Sequence, residues 1–265
     1  MELYHFGMST CSQKVRLVLA EKEIPFVSRE VNLHAGEQHA ADYVKLNPMH
    51  VVPTLVNGAD VYVESSLIIR YLNDLVAAHP MLPADARGRY RVSWWLNFID
   101  KKVHPQAPSL TYAMGPRQVI LSQSQEHIDA YINSIPDDAE RGARARVIKD
   151  GIHAPDFISA LREFLNMIDH MEETLAEQPW LSGEHFGLAD ATVVPYVLRF
   201  EQLGLGARID AGSSPRVNDW FARVRARASY QTAVVDWFFP GAAEMMRKQG
   251  DALRPEVERL MAKMA

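Results

Sequence analysis

Cysteine is almost absent from this 265-residue sequence, which contains only Cys11. A single cysteine excludes an internal disulfide framework and a zinc site built on cysteine ligands. A large charge of one sign is also absent, since 28 basic and 33 acidic residues give a net charge of -5. No overall positive field therefore attracts nucleic acid or anionic lipid. Because Cys11 is the single cysteine, any thiol chemistry of the protein's own must use it.

Long apolar runs are missing as well. No stretch reaches the roughly 18 consecutive apolar residues that a membrane-spanning helix needs, and the first residues do not form a basic and apolar leader. Hydrophobic residues make up 48% of the chain and charged residues 23%, which is a globular composition. The length favours two domains, at roughly 150 residues per domain. We expect a cytoplasmic protein with neither a membrane anchor nor a nucleic-acid partner.

The first eighty residues alternate between strand and helix patterns, which predicts an α/β domain. The first two strands and the helix between them form a βαβ unit, so these strands should be parallel. Asn57-Gly58 separates two apolar runs and predicts a hairpin of antiparallel strands. The predicted strands are residues 3–6, 26–31, 54–56 and 61–63, and the predicted helices are residues 12–23 and 65–77.

Beyond Pro80 and Pro83 only helical periodicity remains, which predicts an all-α second domain. The predicted domains are residues 1–79 and residues 87–265. The stretch 134–153 is rich in Asp, Glu and Arg, and we expect it to lengthen the helical domain, as a lid or an insertion, without adding to the core. The helix candidates are residues 88–113, 118–133, 155–177, 188–203, 215–228 and a charged amphipathic stretch at 241–263.

The loop between the first strand and the first helix carries the candidate thiol site. Ser9, Cys11 and Ser12 lie at the start of that helix, where hydroxyl groups and backbone N–H groups stabilise a thiolate. The alternative is structural: Ser9 or Ser12 caps the helix, and Cys11 is a small buried apolar residue. The loop has no second cysteine, so it cannot cycle between dithiol and disulfide.

Two further elements in this domain suit a peptide ligand. A cis bond at Val52-Pro53 would turn the backbone of Val52 outward, where an extended peptide can pair with it. Glu64 and Ser65 stand at the next helix start, where N–H groups suit a carboxylate and Glu64 suits an ammonium group. Taken singly, Pro53 only ends strand pairing and Ser65 only caps a helix. Together with the thiol site, they predict a groove for a short zwitterionic peptide.

In these motifs the sequence resembles the glutathione transferase superfamily over essentially the whole chain. Within it, the sequence is most similar to the tetrachlorohydroquinone dehalogenase branch and to the ganglioside-induced differentiation-associated relatives. The resemblance implies a thioredoxin-like N-terminal domain and a helical C-terminal domain. The matching motifs are S-T-C-S-Q-K-V-R at 9–16, N-P at 47–48, V-P-T-L at 52–55, E-S at 64–65 and L-S-G-E-H-F-G-L-A-D at 181–190.

The resemblance also implies glutathione as co-substrate, with no metal. The cysteinyl backbone of glutathione would pair with Val52 beside a cis Pro53. Its γ-glutamyl end would meet Glu64 and Ser65, and His39 would reach its glycyl carboxylate. The relatives differ in which residue activates the thiol.

The candidates for that activating role are Cys11, Ser12 and Ser9, and Cys11 matches the dehalogenase-like cysteine. The helical domain would supply the electrophile site, for which Tyr112 is the candidate residue. The family also implies a dimer, either a homodimer or a heterodimer with a related chain.

The sequence departs from the family pattern at two places. The glycine and lysine common before the cis-proline segment are His50 and Val51, which removes one cationic contact to glutathione. Gly187 stands where Ser or Thr usually caps a helix, although Asp190 can reach back to that helix start. We therefore expect weaker glutathione binding and a weaker helix start.

The expected function is glutathione transfer to a small aromatic electrophile, by aryl ether cleavage or halide displacement. Two alternatives stay open at this stage. One is a thiol transferase or lyase in which Cys11 forms a mixed disulfide with glutathione. The other is a module that keeps the fold for dimerisation or binding without catalysis.

Overall fold

Four strands form one mixed sheet in the computed structural model, which describes residues 1–264. Ala265, the last residue of the predicted helical domain, lies outside the described residues. The strands are β1 Glu2–His5, β2 Val27–Glu30, β3 Thr54–Asn57 and β4 Asp60–Tyr62. Their order in the sheet is β2-β1-β3-β4, with β1 parallel to β2 and with β3 antiparallel to both β1 and β4. The predicted βαβ unit and hairpin are confirmed.

Helices form nearly all other ordered elements. Among residues 1–264, none of them is both long enough and apolar enough to cross a bilayer. The first six are α1 Thr10–Glu21, α2 Ala41–Leu46, α3 Ser65–Leu75, α4 Ala86–Phe98, α5 Ala107–Met114 and α6 Arg117–Leu121. The others are α7 Gln125–Asn133, α8 Asp138–Asp150, α9 Pro155–Glu177, α10 Leu188–Phe200, α11 Pro215–Arg225, α12 Ala228–Ala233 and α13 Ala242–Ala262.

The sheet buries one apolar core with α1 and α3. Leu3 of β1 and Leu55 of β3 pair across the strands and are fully buried. Val18 of α1 and Ile69 and Leu72 of α3 are buried to the same degree. This burial follows from the period-2 pattern of the strands and the 3.6-residue period of the helices, as the sequence predicts.

The chain divides into two compact units, each assembled from separate stretches of sequence. All four strands belong to the first unit, and the second unit is helical, in agreement with the predicted fold class. The predicted domain division at residues 79 and 87 stays a prediction. The first unit is Met1–Asn97, Leu175–Pro195 and Asp219–Phe239, and the second is Phe98–Thr174, Tyr196–Asn218 and the stretch from Pro240 onward.

The segment predicted as a helix over 88–113 is helical, but its hydrogen-bond pattern changes after Phe98, to a π-helix over Ile99–Val103 and a 3-10 helix over His104–Gln106. Pro105 lies in the 3-10 turn and has no N–H for an α-helical ladder. The prediction for residues 134–153 is wrong. The stretch 134–153 does add to the core, because α8 buries Val147 and Ile148 completely or nearly so. Asp137 starts that helix by accepting the Glu140 N–H at 2.8 Å.

The start of α10 is firmer than the glycine at position 187 suggests. A Cβ at Gly187 would lie 2.5 Å from the carbonyl oxygen of Met81, so close packing requires glycine there. The buried Asp190 carboxylate accepts the Gly187 N–H at 3.0 Å and the Trp220 indole N–H at 2.8 Å. Ser182 accepts a further N–H of this helix at 3.0 Å. The prediction that Asp190 reaches back to this helix start is therefore confirmed.

Candidate functional site

The first turn of α1 places its three candidate residues differently. Ser9 caps the helix, since its hydroxyl oxygen accepts the Ser12 N–H at 3.2 Å. The Ser12 hydroxyl is fully buried and accepts the Phe6 N–H at 3.3 Å. Ser9 and Cys11 are half-buried. Ser12 therefore joins the helix start to β1, while Ser9 and Cys11 remain partly accessible.

A buried arginine holds the loop that leads into this turn. Arg16 donates to the carbonyl oxygens of Gly7 and Ala233 at 2.8 Å and of Phe6 at 3.3 Å. We call these four residues the Arg16 clamp. Burial lowers the pKa of the Arg16 guanidinium to about 9, so it is charged at neutral pH. The clamp therefore fixes the loop. It also keeps a buried positive charge beside the loop that leads into α1.

His5 completes the surroundings of the clamp. Its Nδ1 accepts from the Arg16 guanidinium at 2.9 Å, and its Nε2–H donates to the Ser28 hydroxyl at 2.8 Å. The Trp237 ring meets the imidazole edge-on at 4.6 Å. Burial and the neighbouring Arg16 charge lower the pKa of His5 to about 3, so the imidazole is neutral. Sequence reasoning missed this pair, although a histidine inside a strand and an arginine on an apolar helix face were its signals.

The peptide bond between Val52 and Pro53 is cis, as predicted. The β3 ladder begins after it, with Thr54 opposite Tyr4 of β1. The Val52 side chain is buried in an apolar cluster that also contains Phe6. The backbone of Val52 therefore lies outside the sheet ladder, where strand addition by a ligand would require it.

A polar network that sequence reasoning missed fixes the loop before the cis bond. The Tyr43 hydroxyl donates to the Val51 carbonyl oxygen at 2.6 Å. The Asn47 amide donates to the same oxygen at 2.9 Å and to the Thr54 hydroxyl at 3.0 Å. Asn47 and Thr54 are buried. The Asn-Pro motif was the signal, because buried asparagine side chains commonly bond to nearby loop backbone.

The start of α3 combines an unusual backbone with a buried lysine. Glu64 precedes the helix with φ +67°, which is rare for a residue other than glycine. Ser65 is the first residue of the helix and is buried, and the Glu64 side chain is exposed. The buried Lys14 of α1 donates to the Ser66 hydroxyl at 2.8 Å. This bond joins the first turns of the two helices.

His39 pairs with His50, one of the two residues that depart from the family pattern. The two Nδ1 atoms are 3.2 Å apart, so one ring must donate to the other. His50 has φ +57°, and the neighbouring Val51 side chain is half exposed. The structure therefore places an imidazole pair beside the position where the family's lysine is missing.

The first unit brings most of the predicted site residues into one region. Phe6 bonds to Ser12 and packs with Val52, which links the thiol site to the cis-proline loop. The bond between Lys14 and Ser66 links it to the start of α3. The predicted roles of these residues in catalysis and glutathione binding stay predictions.

Tyr112 lies in the second unit, on α5. The Arg144 guanidinium stacks 3.5 Å from the centre of its ring, and the Tyr131 ring lies 6.2 Å away. Burial raises the pKa of Tyr131, which also contacts Arg144. These contacts account for Tyr112 as a structural residue, and its role in a substrate pocket stays a prediction.

Metal-ligating side chains are not grouped in the described part of the chain. Among residues 1–264, no group of three or more His, Cys, Asp or Glu side chains is arranged to hold a metal ion. The expected absence of a metal stays a prediction.

Known proteins resemble this chain along most of its length. It is 28% identical to the tetrachloro-p-hydroquinone reductive dehalogenase of Sphingobium chlorophenolicum, covering 89% of this chain and 96% of that protein. It is 25% identical to glutathione S-transferase TCHQD of Arabidopsis thaliana, covering 94% and 100%. The crystal structure of the beta-etherase LigF from Sphingobium sp. strain SYK-6 has the same fold, with a TM-score of 0.76, 24% identity and coverage of 88% and 97%.

Two domain families match the sequence, in two separate stretches. Residues 8–75 match the family described as Glutathione S-transferase, N-terminal domain. Residues 125–223 match the family described as Glutathione S-transferase, C-terminal domain. The first stretch contains the thiol site, the cis-proline loop and the start of α3. The chain belongs to the glutathione S-transferase family.

Proposed function

We propose that this glutathione transferase activates the thiolate of glutathione for attack on an aromatic electrophile. A bond forms between the sulfur and a substrate carbon, and the bond to an aryl ether oxygen or a halogen breaks. The phenolate or halide leaves with the electron pair. The relatives named as a dehalogenase and a beta-etherase support this reaction class. They do not favour the Cys11-dependent thiol transferase or the non-catalytic module.

One observation carries the proposal: three elements that suit a peptide ligand belong to a single small sheet unit. These are the half-buried residues at the start of α1, the cis bond before Pro53 and the strained turn at Glu64. Each element suits a different part of a short peptide that has a thiol, two carboxylates and an ammonium group. Glutathione has all of these groups, and it is the substrate of the family.

Ser9 and Cys11 are the residues that we assign to the glutathione sulfur. Ser9 already accepts the Ser12 N–H, so its own O–H can donate to a thiolate. The positive end of α1 and the buried Arg16 charge add to this stabilisation, which lowers the pKa of a bound thiol. Ser12 is buried and bonded to Phe6, so we assign it to positioning the turn.

The rest of glutathione would bind along the same unit. Its cysteinyl backbone would pair with Val52, which lies outside the sheet ladder. Its γ-glutamyl carboxylate would meet the N–H groups at Ser65, and its ammonium group would meet the exposed Glu64. The pair of His39 and His50 would receive the glycyl carboxylate in place of the missing lysine.

The test is glutathione consumption by the purified protein with aryl ethers and haloaromatic compounds. We expect turnover with glutathione and not with other thiols. Ser9→Ala should lower kcat/KM about 10- to 100-fold, the loss of one hydrogen bond to a charged group. Cys11→Ser keeps a donor and should retain most of the activity. Ser12→Ala should lower the free energy of unfolding. This loss should be larger than the increase in activation free energy calculated from kcat.

Two results would contradict the proposal. The absence of glutathione-dependent turnover with every aromatic electrophile would contradict the reaction class. Complete loss of turnover in Cys11→Ser, with Ser9→Ala fully active, would favour the mixed-disulfide mechanism instead.

The assembly and the compartment follow from the family and stay predictions. We expect a dimer, most simply a homodimer, although a heterodimer with a related chain fits the family as well. Sedimentation equilibrium of the purified protein distinguishes a monomer from a homodimer. We also expect a cytoplasmic location, which fractionation of cells that produce the protein would test.

A further inference from the structure

Two adjoining cavities lie at the C-terminal end of α1 in the first unit. Their volumes are about 440 Å³ and 520 Å³, which is within the range of pockets that hold small ligands. Glu21, His79 and Arg227 line both cavities, so the two meet along these residues. Glu21 is the last residue of α1 and Ser9 caps its first turn, so the cavities lie about 18 Å along the helix from the thiol site. We call the two cavities together the α1-end site.

The larger cavity of the α1-end site has an apolar wall. The Trp180 and Phe186 rings meet edge-on there, at a centroid distance of 5.5 Å. Pro80 and the buried Met81 complete this wall. Aromatic rings bind another ring through offset and edge-on contacts, and a methionine sulfur adds a contact at a ring edge. The larger cavity therefore suits an aromatic side chain.

The smaller cavity is lined by charges of both signs, since Glu23 and Arg223 join Glu21 and Arg227 there. Arg227 donates from Nε and Nη2 to the two Glu21 carboxylate oxygens at 2.7 and 2.6 Å, which leaves its Nη1 group for a further acceptor. Glu21 also accepts from the Ser229 hydroxyl and is largely buried, whereas Glu23 is exposed. Two carboxylates and two guanidinium groups complement a zwitterion better than an ion of one sign.

The two arginines connect the charged cavity to the apolar wall. The Arg223 guanidinium lies 4.3 Å from the centre of the Trp180 ring, and the Arg227 guanidinium lies 4.5 Å from the centre of the Phe186 ring. Arg223 also donates to the Pro179 carbonyl oxygen at 2.8 Å. These contacts fix both guanidinium groups next to the rings. A ligand whose carboxylate binds the arginines therefore has its side chain beside the apolar wall.

We propose that the α1-end site binds a free aromatic amino acid, for which phenylalanine is the probe. Its ring occupies the larger cavity, against Trp180 and Phe186. Its carboxylate binds Arg223 and Arg227, and its ammonium group binds Glu23. The site lies apart from the residues assigned to glutathione, so this inference does not depend on the proposed function.

Titration calorimetry with the full chain tests the class of ligand. We expect phenylalanine to bind at least about five-fold more tightly than 3-phenylpropionate, which lacks the ammonium group, and than phenethylamine, which lacks the carboxylate. Alanine lacks the ring and should bind more weakly than phenylalanine by a similar factor. Saturating glutathione should leave the dissociation constant of phenylalanine unchanged, because the two ligands bind at opposite ends of α1.

Two variants test where phenylalanine binds. Glu23→Gln should weaken the binding of phenylalanine about three- to ten-fold and leave that of 3-phenylpropionate unchanged, whereas Arg223→Gln should weaken the binding of both. The controls Glu30→Gln and Arg29→Gln change exposed residues of β2 and should bind phenylalanine as the wild type does. Urea unfolding curves verify that the variants fold, and either variant is sufficient if the other does not fold.

Several results would overturn the inference. One is the absence of binding at millimolar phenylalanine, and another is displacement of phenylalanine by glutathione. Binding of 3-phenylpropionate, phenethylamine or alanine as tight as that of phenylalanine would also overturn it, as would unchanged phenylalanine binding in the folded variants. Glutathione consumption is measured separately. Phenylalanine binding in a protein without turnover would support the α1-end site while contradicting the proposed function.

Discussion

The thiol end and the glycyl end of the proposed groove are built in opposite ways. At the thiol end, the Arg16 clamp is buried and ties carbonyl oxygens from separate parts of the first unit to one guanidinium. At the glycyl end, His39 and His50 bond to each other near the surface. The first arrangement holds several parts of the fold together, and the second is a pair of rings near the surface that we assign to the glycyl carboxylate of the ligand.

The two parts control different properties of the protein. A buried charge with several hydrogen-bond partners contributes to stability, because removing it leaves those partners unsatisfied in a medium that water does not reach. Changing an imidazole pair near the surface lowers the stability of the protein only slightly, because water replaces each lost hydrogen bond. Changes at the clamp should therefore lower the free energy of unfolding, and changes at the histidine pair should lower ligand affinity.

The largest effect should come from Arg16→Met. This change leaves the carbonyl oxygens of Gly7 and Ala233 and the His5 Nδ1 without their donor. We expect the free energy of unfolding in urea to fall by about 3 to 5 kcal/mol. The control is Arg29→Met. It removes an exposed arginine of the edge strand β2, which pairs with Glu2 of β1, and it should leave the urea midpoint unchanged. Equal losses in both variants would contradict the distinction between the buried and exposed parts.

A smaller effect should appear in the pH dependence of stability. The pKa of His5 is about 3 in the folded protein and about 6.5 in the unfolded chain. Between these values only the unfolded chain binds the proton, so stability falls as the pH falls through this window. The slope from His5 is up to about 1.4 kcal/mol per pH unit, and it vanishes above pH about 6.5.

Urea midpoints measured across this window would check the His5 prediction. His5→Gln cannot titrate, so its stability should depend less on pH than that of the wild type. The control His185→Gln changes an exposed histidine of the same unit and should keep the wild-type slope. An identical slope in the wild type and in His5→Gln would show that His5 is not the titrating group.

The smallest effect should come from the histidine pair. His39→Ala and His50→Ala should each raise KM for glutathione about 3- to 10-fold, the loss of one hydrogen bond, with an unchanged urea midpoint. In the double variant, the loss of binding free energy for glutathione should be smaller than the sum of the losses in the two single variants, because both rings contact the same carboxylate. γ-Glutamylcysteine lacks the glycyl carboxylate, so its dissociation constant, measured by titration calorimetry, should be the same in all four proteins. If a variant binds γ-glutamylcysteine and glutathione more weakly by the same factor, the histidine pair contacts another part of the ligand.

The sequence predicts the parts of the fold and of the site that depend on local patterns. The parallel βαβ unit, the hairpin at Gly58 and the cis bond before Pro53 follow from period, turn chemistry and motif. The apolar face of α9 follows from its 3.6-residue period, with Phe157, Leu161 and Phe164 fully buried.

The parts that the sequence does not predict depend on contacts between distant residues. The bond from Arg16 to Ala233 joins positions 217 residues apart, and no local pattern encodes it. The pairing of His39 with His50 depends on the left-handed backbone at His50, which few residues other than glycine adopt. The sequence does not predict the core face of α8, because most residues of this helix are charged or small and only Val147 and Ile148 are buried apolar residues.

The assembly of the first unit from three separated stretches has a consequence for how this protein is made. Translation runs from the N-terminus, so the ribosome completes the strands, the cis-proline loop and the start of α3 long before it reaches Ala233. Until then Arg16 lacks one of its carbonyl partners and Phe6 lacks the ring of Phe239. The nascent chain therefore carries an incomplete thiol site, which closes only when the last stretch of the unit emerges.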